Sequence, residues 1–195
     1  GKTVLFNKLT GLEPVHNTNS TLGIDFGSHY VDDSEYKIKI FFWDTAGHER
    51  FHSITKNYYR NNFRLFLLFD LSNPNSLTNV QKWINEVTYV NNDQTEIILI
   101  GNKSDLPCKI EQDDINRIIE SNPSVINYYK ISAISKDCKE LNKCIEELVF
   151  DAKSLITEDY KESIVQVSTG LVIKNNKENL EIEQETPGNR CCVIS

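Results

Sequence analysis

The stretch WDTAGHERF, residues 43–51, decides the fold of this 195-residue chain. The apolar run at residues 38–43 predicts a β-strand that ends at Asp44. The small residues 45–47 then predict a tight turn whose backbone N–H groups can approach a phosphate, because no large side chain intervenes. Open α/β sheets bind ligands at the carboxyl ends of their strands, so Asp44 lies where a ligand is expected. By themselves these residues also suit an ordinary strand end, and the interpretation depends on other motifs.

The composition fits one globular domain of ordinary size, with 39% hydrophobic and 25% charged residues. The net charge of -7 and the lack of a basic run argue against a nucleic-acid-binding function. No apolar stretch of the sequence is long enough to cross a bilayer. Cys108, Cys138 and Cys144 have no metal-ligand spacing and are expected to be reduced.

The hydrophobic periodicity predicts helices that alternate with strands. Helices are predicted at residues 2–9, 51–60, 76–91, 113–121 and 138–156. Strands are predicted at residues 24–31, 36–43, 65–70, 96–101 and 127–131, the first two forming a hairpin. This alternation indicates an α/β fold, with a mainly parallel sheet covered by helices on both faces. Beyond about residue 158 the sequence turns polar and acidic and predicts a linker, although residues 164–173 could order locally.

Two segments suit a phosphate and its metal ion. Gly1-Lys2-Thr3 opens the first helix and matches the last three positions of the phosphate-binding loop G-x-x-x-x-G-K-[ST]. In that loop the lysine reaches the β- and γ-phosphates and the hydroxyl binds Mg²⁺. Thr21, in a polar loop before the first strand, could add a second Mg²⁺ ligand. A bare tripeptide also arises by chance, and Thr21 also suits an ordinary turn.

A third segment, Asn102-Lys103-Ser104-Asp105, suits a guanine base. The Asp105 carboxylate can accept hydrogen bonds from the N1–H and 2-amino groups of guanine, and adenine offers neither, so discrimination of about 10⁴-fold is possible. Asn102 is expected to tie neighbouring loops together, with the Lys103 stem along the base. Ser132-Ala133 follows the last strand and would supply a backbone N–H to the guanine carbonyl. A loop rich in turn-forming residues is the alternative.

In their order and spacing, these motifs resemble those of the Ras-like small GTPases. Within that superfamily the chain resembles the Rab branch in three segments: LGIDF at 22–26, WDTAGHERF at 43–51, and SIT at 53–55 followed by YYR at 58–60. The similarity covers residues 1–156. It implies a Ras-like P-loop GTPase domain over 1–156, with a six-stranded, mostly parallel sheet and helices on both faces. Residues 157–195 would form a flexible hypervariable tail.

The resemblance implies a switch that binds GTP or GDP with Mg²⁺, hydrolyses GTP to GDP and regulates vesicle traffic. Thr21 would ligate Mg²⁺ only in the GTP state, Asp44 would hold a Mg²⁺-bound water, and the Gly47 N–H would contact the γ-phosphate. Loss of that phosphate would release both switch segments. The implied nucleotide-binding residues are Gly1, Lys2, Thr3, Thr21, Asp44, Gly47, Asn102, Lys103, Asp105, Ser132 and Ala133, with Thr3 and Thr21 as metal ligands.

The resemblance also implies partners. Phe26, Trp43 and Tyr58 match the aromatic triad that Rab proteins present to effectors, although core packing is the alternative for all three. The expected partners are an exchange factor, a GTPase-activating protein, effectors, a Rab escort protein and a dissociation inhibitor. A monomer is expected at the cytoplasmic face of intracellular membranes, cycling with the cytosol.

His48 stands where the family has a catalytic glutamine that orients the attacking water. A neutral imidazole offers one donor and one acceptor held rigidly apart, whereas the amide offers both on one flexible arm. We therefore expect slow intrinsic hydrolysis and a population biased toward GTP. One alternative is a GTP-binding module that recruits effectors and barely hydrolyses. Another is a non-functional fragment.

The fragment hypothesis arises because the sequence contains no methionine and begins within a phosphate-loop motif. It would lack the first strand, central in this fold, and most of the phosphate loop. Such a chain is expected to bind nucleotide poorly, and a sub-micromolar affinity for GDP would contradict that expectation.

The last residues, Cys191-Cys192-Val193-Ile194-Ser195, suggest lipidation. The final four fit C-a-a-X, in which a terminal serine usually predicts farnesyl. The paired cysteines also resemble the ending of some Rab proteins, where both thiols carry geranylgeranyl. One lipid anchors only marginally and the preceding tail is acidic, so two lipids, on Cys191 and Cys192, are predicted. Farnesyl with palmitoyl is the alternative.

Overall fold

The computed structural model describes residues 1–13, 21, 24–32, 36–45, 59, 64–91, 95–154, 165–167, 171–175 and 192–194. Its helices are α1 (Lys2–Thr10), α2 (Pro74–Asn91), α3 (Gln112–Ser121) and α4 (Lys139–Ser154). Its strands are β1 (Ile24–Asp32), β2 (Tyr36–Thr45), β3 (Arg64–Asp70), β4 (Ile97–Asn102), β5 (Val125–Lys130), β6 (Val165–Val167), β7 (Leu171–Asn175) and β8 (Cys192–Ile194). The helix predicted at residues 51–60 lies outside the described residues, except for the buried Tyr59.

The sheet is mainly parallel through its centre, as the alternation of elements predicts. The resemblance implied six strands, but the described residues form an eight-stranded sheet, because three strands after residue 157 join it. The strand order is β5-β4-β3-β8-β2-β7-β6, and β1 pairs with β2. β3, β4 and β5 run parallel to their neighbours, while β1 and β2 form the predicted antiparallel hairpin. All residues of β4 are buried, which explains why it reads as an uninterrupted apolar run.

Helices cover both faces of the sheet and form two hydrophobic clusters. One cluster includes Leu5 of α1, Phe42 of β2 and Leu148 of α4. The other includes Ile84 of α2 and Ile115 of α3. The predicted α/β class with helices on both faces is therefore confirmed. No helix in the described part of the chain is both long and apolar enough to span a membrane.

The region after residue 157 contains more ordered structure than a linker. Its described residues form three short strands, and β6 and β7 match the local order expected for residues 164–173. β8 lies between β2 and β3, parallel to both, where the sequence predicted the absent first strand. The valines and isoleucines of these segments favour extended backbone, and β8 satisfies hydrogen-bonding groups along two strand edges. The division into a domain and a tail stays a prediction.

Gly27 allows α1 to pack closely against β1. A Cβ at this position would lie 2.5 Å from the Thr10 Cγ2 atom and 3.0 Å from the Phe6 Cζ atom. Such a Cβ would therefore force the Thr10 and Phe6 side chains, or α1 itself, to shift.

We expect Gly27→Ala to lower the free energy of unfolding by about 1–3 kcal/mol, because it overpacks this contact. Equilibrium unfolding in urea measures the change. The neighbouring Ser28→Ala, whose side chain points to the opposite face of the strand, should change stability by less than about 0.5 kcal/mol. Equal losses for the two variants would contradict a close contact specific to Gly27.

Candidate functional site

The carboxyl end of β2 brings together three oxygen-bearing side chains that are distant in sequence. The Thr3 and Thr21 Oγ1 atoms lie 2.8 Å apart, and the Thr21 hydroxyl donates to the Asp44 Oδ2 atom at 3.3 Å. Thr3 is in the first turn of α1, Thr21 precedes β1, and Asp44 is the penultimate residue of β2. The structure thus places the two predicted metal ligands beside the predicted ligand-facing aspartate.

Asp44 is buried with one carboxylate oxygen unmatched. It is 0% exposed, and its Oδ1 atom has no hydrogen-bond partner among the described residues. Burial raises the pKa of Asp44 above its ordinary value, and the Thr3 hydroxyl, the Lys2 charge and the Thr21 hydroxyl oppose that rise. Burial also lowers the pKa of Lys2, and Asp44 opposes this. A buried carboxylate with a free oxygen is costly, so this corner suits a cation or a water bound to one.

The start of α1 lies close to Asn102, which is the last residue of β4 and belongs to the predicted base-binding segment. A Cβ at Gly1 would lie 2.7 Å from the Asn102 Nδ2 atom, so any larger residue here would force the Asn102 amide to shift. The N-terminus of a helix presents unpaired N–H groups and favours anions. The α1 terminus and the loop after β4 therefore form adjacent parts of one site.

Asn102 joins the loop after β4 to the loop after β5. Its Oδ1 atom accepts hydrogen bonds from the Lys103 N–H at 2.7 Å and from the Ala133 N–H at 3.0 Å. The Ser132 hydroxyl also hydrogen-bonds to the Asp105 carboxylate. The sequence predicted that Ser132-Ala133 would present a backbone N–H to a base. In the structure, the Ala133 N–H donates to the Asn102 side-chain oxygen instead.

The structure adds one residue that the sequence reasoning missed. The Lys103 Nζ atom lies 2.7 Å from the Asp70 Oδ2 atom. Asp70 ends β3, and its position opposite Asn102 in the parallel pair places it at the same edge of the sheet. Asp70 could have been predicted from the sequence, because it is a polar residue at the end of a continuous apolar run. The same pattern identified Asp44.

Two of the three predicted effector-facing aromatic residues form a pair on the hairpin. Phe26 of β1 lies opposite Trp43 of β2, with ring centroids 4.7 Å apart. Phe26 is 42% exposed, whereas Trp43 is half-buried and packs against the core cluster that contains α2. Phe26 therefore fits the effector-facing prediction, whereas Trp43 fits the alternative of core packing. Gly47, His48, Tyr58 and Cys191 lie outside the described residues.

Comparison with known proteins agrees with the fold and the motifs. Residues 1–154 match the Ras family. The chain is 30% identical over 182 residues to Ras-related protein Rab-11C of Dictyostelium discoideum, covering 92% of this chain and 79% of that protein. It is 31% identical over 156 residues to SEC4 of Saccharomyces cerevisiae, covering 77% and 72%. It is 40% identical over 105 residues to Rab-15 of Mus musculus, covering 54% and 50%.

The chain therefore belongs to the Ras family, whose members bind guanine nucleotides and hydrolyse GTP. Its similarity to Rab-11C and SEC4 confirms the predicted resemblance to the Rab branch of that family. The protein is accordingly a Rab-like small GTPase.

We expect Asn102→Ala to weaken GDP binding by about 30-fold, because it leaves the two backbone N–H groups of residues 103 and 133 without their acceptor. Isothermal titration of the full chain with GDP measures the affinity. Asn127→Ala is a matched control, because Asn127 is an exposed asparagine on β5 whose amide donates to the Glu147 carboxylate. Equal affinities for the two variants would contradict the role of Asn102.

Proposed function

We propose that this protein is a GTP/GDP switch in vesicle traffic and that its site holds the nucleotide together with Mg²⁺. The observation that carries the proposal is the meeting of Thr3, Thr21 and Asp44 at the carboxyl end of β2. The α1 terminus supports phosphate binding beside this cluster, and the loops joined by Asn102 support binding of the base. One edge of the sheet then holds the whole nucleotide.

The oxygen cluster fits Mg²⁺. This ion takes oxygen ligands at about 2.1 Å in octahedral geometry, so two neighbouring ligands lie about 3 Å apart. The 2.8 Å separation of the Thr3 and Thr21 hydroxyls is close to that spacing. The Oδ1 atom of Asp44, which has no partner among the residues that the structure describes, would accept a hydrogen bond from a Mg²⁺-bound water. When bound, the ion would neutralise phosphate charge.

Asp105 would select the base. Its carboxylate would accept from the N1–H and 2-amino groups of guanine, while the Ser132 hydroxyl holds the carboxylate in place. Because this contact holds Asp105, little further ordering is required of it on binding.

We expect Asp105→Asn to reduce GDP affinity by about 100-fold or more and to improve binding of xanthosine diphosphate, because the amide donates to the C2 carbonyl of xanthine. Competition titrations with GDP, xanthosine diphosphate and ADP measure the three affinities. Asp113→Asn on α3 should leave them unchanged. If the unaltered protein bound ADP as tightly as GDP, the proposed guanine site would be wrong.

Hydrolysis is proposed to be slow, because His48 replaces the glutamine that orients the attacking water. We expect His48→Gln to raise the single-turnover rate of GTP hydrolysis by about 10-fold or more. An unchanged rate would refute this explanation. The assay with an added GTPase-activating protein also separates a cycling switch from an effector-recruiting module that barely hydrolyses.

The hairpin supports binding of effectors to the GTP form, because it presents the exposed Phe26 ring, which is stacked on Phe41 and tilted against Trp43. The Rab-like character also supports an exchange factor, an escort protein and a dissociation inhibitor as further partners. The protein would act at the cytoplasmic face of intracellular membranes and cycle with the cytosol.

Membrane attachment would use two geranylgeranyl groups, on Cys191 and Cys192. Residues 192–194 form β8 between β2 and β3, and we propose that this segment leaves the sheet when Cys192 carries a lipid. Intact-mass analysis of the membrane-bound protein distinguishes two geranylgeranyl groups from farnesyl with palmitoyl. A bound form without lipid would refute this mode of attachment.

A further inference from the structure

The carboxylate of Asp70 is fixed by the turn that follows β3. Its Oδ1 atom accepts hydrogen bonds from the Ser72 N–H at 2.9 Å and from the Ser72 hydroxyl at 2.6 Å. The Asp70 N–H donates to the Ser76 Oγ atom at 2.9 Å, in the first turn of α2. Burial raises the pKa of Asp70, but the hydrogen bonds from Lys103 and Ser72 outweigh it and lower the pKa overall. Asp70 is therefore a fixed and ionised carboxylate at neutral pH.

Lys103 is held at both ends. Its backbone has a positive φ of 65° and donates its N–H to the Asn102 side chain. Its ammonium group is bound by the Oδ2 atom of Asp70 at 2.7 Å. The four-carbon stem between these two contacts is consequently restrained, although 46% of the Lys103 side chain is exposed. A free lysine side chain samples many rotamers, and restraining it before a ligand arrives reduces the entropic cost of binding.

We propose that Asp70 is a positioning residue for nucleotide binding, which anchors the Lys103 ammonium so that the lysine stem forms one wall of the base site. The inference rests on the proposed guanine-nucleotide site and deepens it. Asp70 acts through Lys103 and contributes no direct contact to the base. Its carboxylate is in turn positioned by Ser72, so the turn after β3 becomes part of the nucleotide site.

The test compares Asp70→Asn with the unaltered full chain, using GDP affinity and the dissociation rate of a fluorescent GDP analogue. We expect the affinity to fall by about 5- to 30-fold, which matches the freedom regained by one lysine side chain. The loss should shrink at high salt, because the ion pair is partly exposed. Asp114→Asn is the control, since it removes the same charge from an exposed ion pair with Arg117 on α3.

A double-mutant cycle separates positioning from a general effect on stability. In a Lys103→Met background, Asp70→Asn should change GDP affinity by less than about twofold, because no ammonium remains to be anchored. Ser72→Ala keeps the carboxylate and loosens it, so it should give a smaller loss, again only when Lys103 is present. An equal loss in both backgrounds, or no loss at all, would overturn the proposal. Absence of GDP binding by the unaltered protein would instead overturn the proposed function.

Discussion

Polar side chains buried at the carboxyl ends of the strands need partners from other segments, and this requirement organises the site. Asp44 at the end of β2 and Asn102 at the end of β4 are almost fully buried. A buried polar group without a hydrogen bond costs free energy, so each of these residues is stabilised by hydrogen bonds to segments that are distant in sequence. Asn102 binds the loop after β5, and Asp44 binds the segment before β1.

The two residues differ in how completely they are satisfied. The Asn102 Oδ1 atom accepts two hydrogen bonds from the protein itself, so the base side of the site is formed without a ligand. Asp44 keeps one buried oxygen without a partner in the described part of the chain, and burial raises its pKa. The phosphate side is thus the part whose interactions a bound cation would complete. This division suits a switch, because the base identifies the ligand while the phosphate end changes.

The sequence predicted most of the elements because their signals are local. Strands β3 and β4 are continuous apolar runs, and α1 ends at Gly11, whose φ of 74° favours glycine. Two element starts lie two residues before the predicted position. α2 begins at Pro74 rather than at residue 76, because proline suits the first position of a helix. β5 begins at Val125 rather than at residue 127, where the Val125 N–H closes a turn with the Asn122 carbonyl.

Other features depend on contacts that a sequence does not display. The strand positions of β7 and β8 depend on the edges that β2 and β3 offer, which only the assembled sheet defines. The ion pair of Asp70 and Lys103 depends on two parallel strands ending side by side. Motifs therefore identified the residues that end strands and enter loops, but they did not reveal which of these side chains meet.

Strand β2 connects the phosphate side of the site to the exposed aromatic pair. Successive side chains of a strand point to opposite faces, so Asp44 and Trp43 point in opposite directions. Asp44 meets the Thr3–Thr21 cluster, whereas Trp43 lies against Phe26 of β1. Thr21 precedes β1, and the register of the hairpin sets Phe26 directly opposite Trp43. A change in the partners of Asp44 must therefore act on both strands of the hairpin, since one strand carries Asp44 and the other follows Thr21. The interaction that would detect the third phosphate and the surface that would bind an effector therefore belong to adjacent residues of β2.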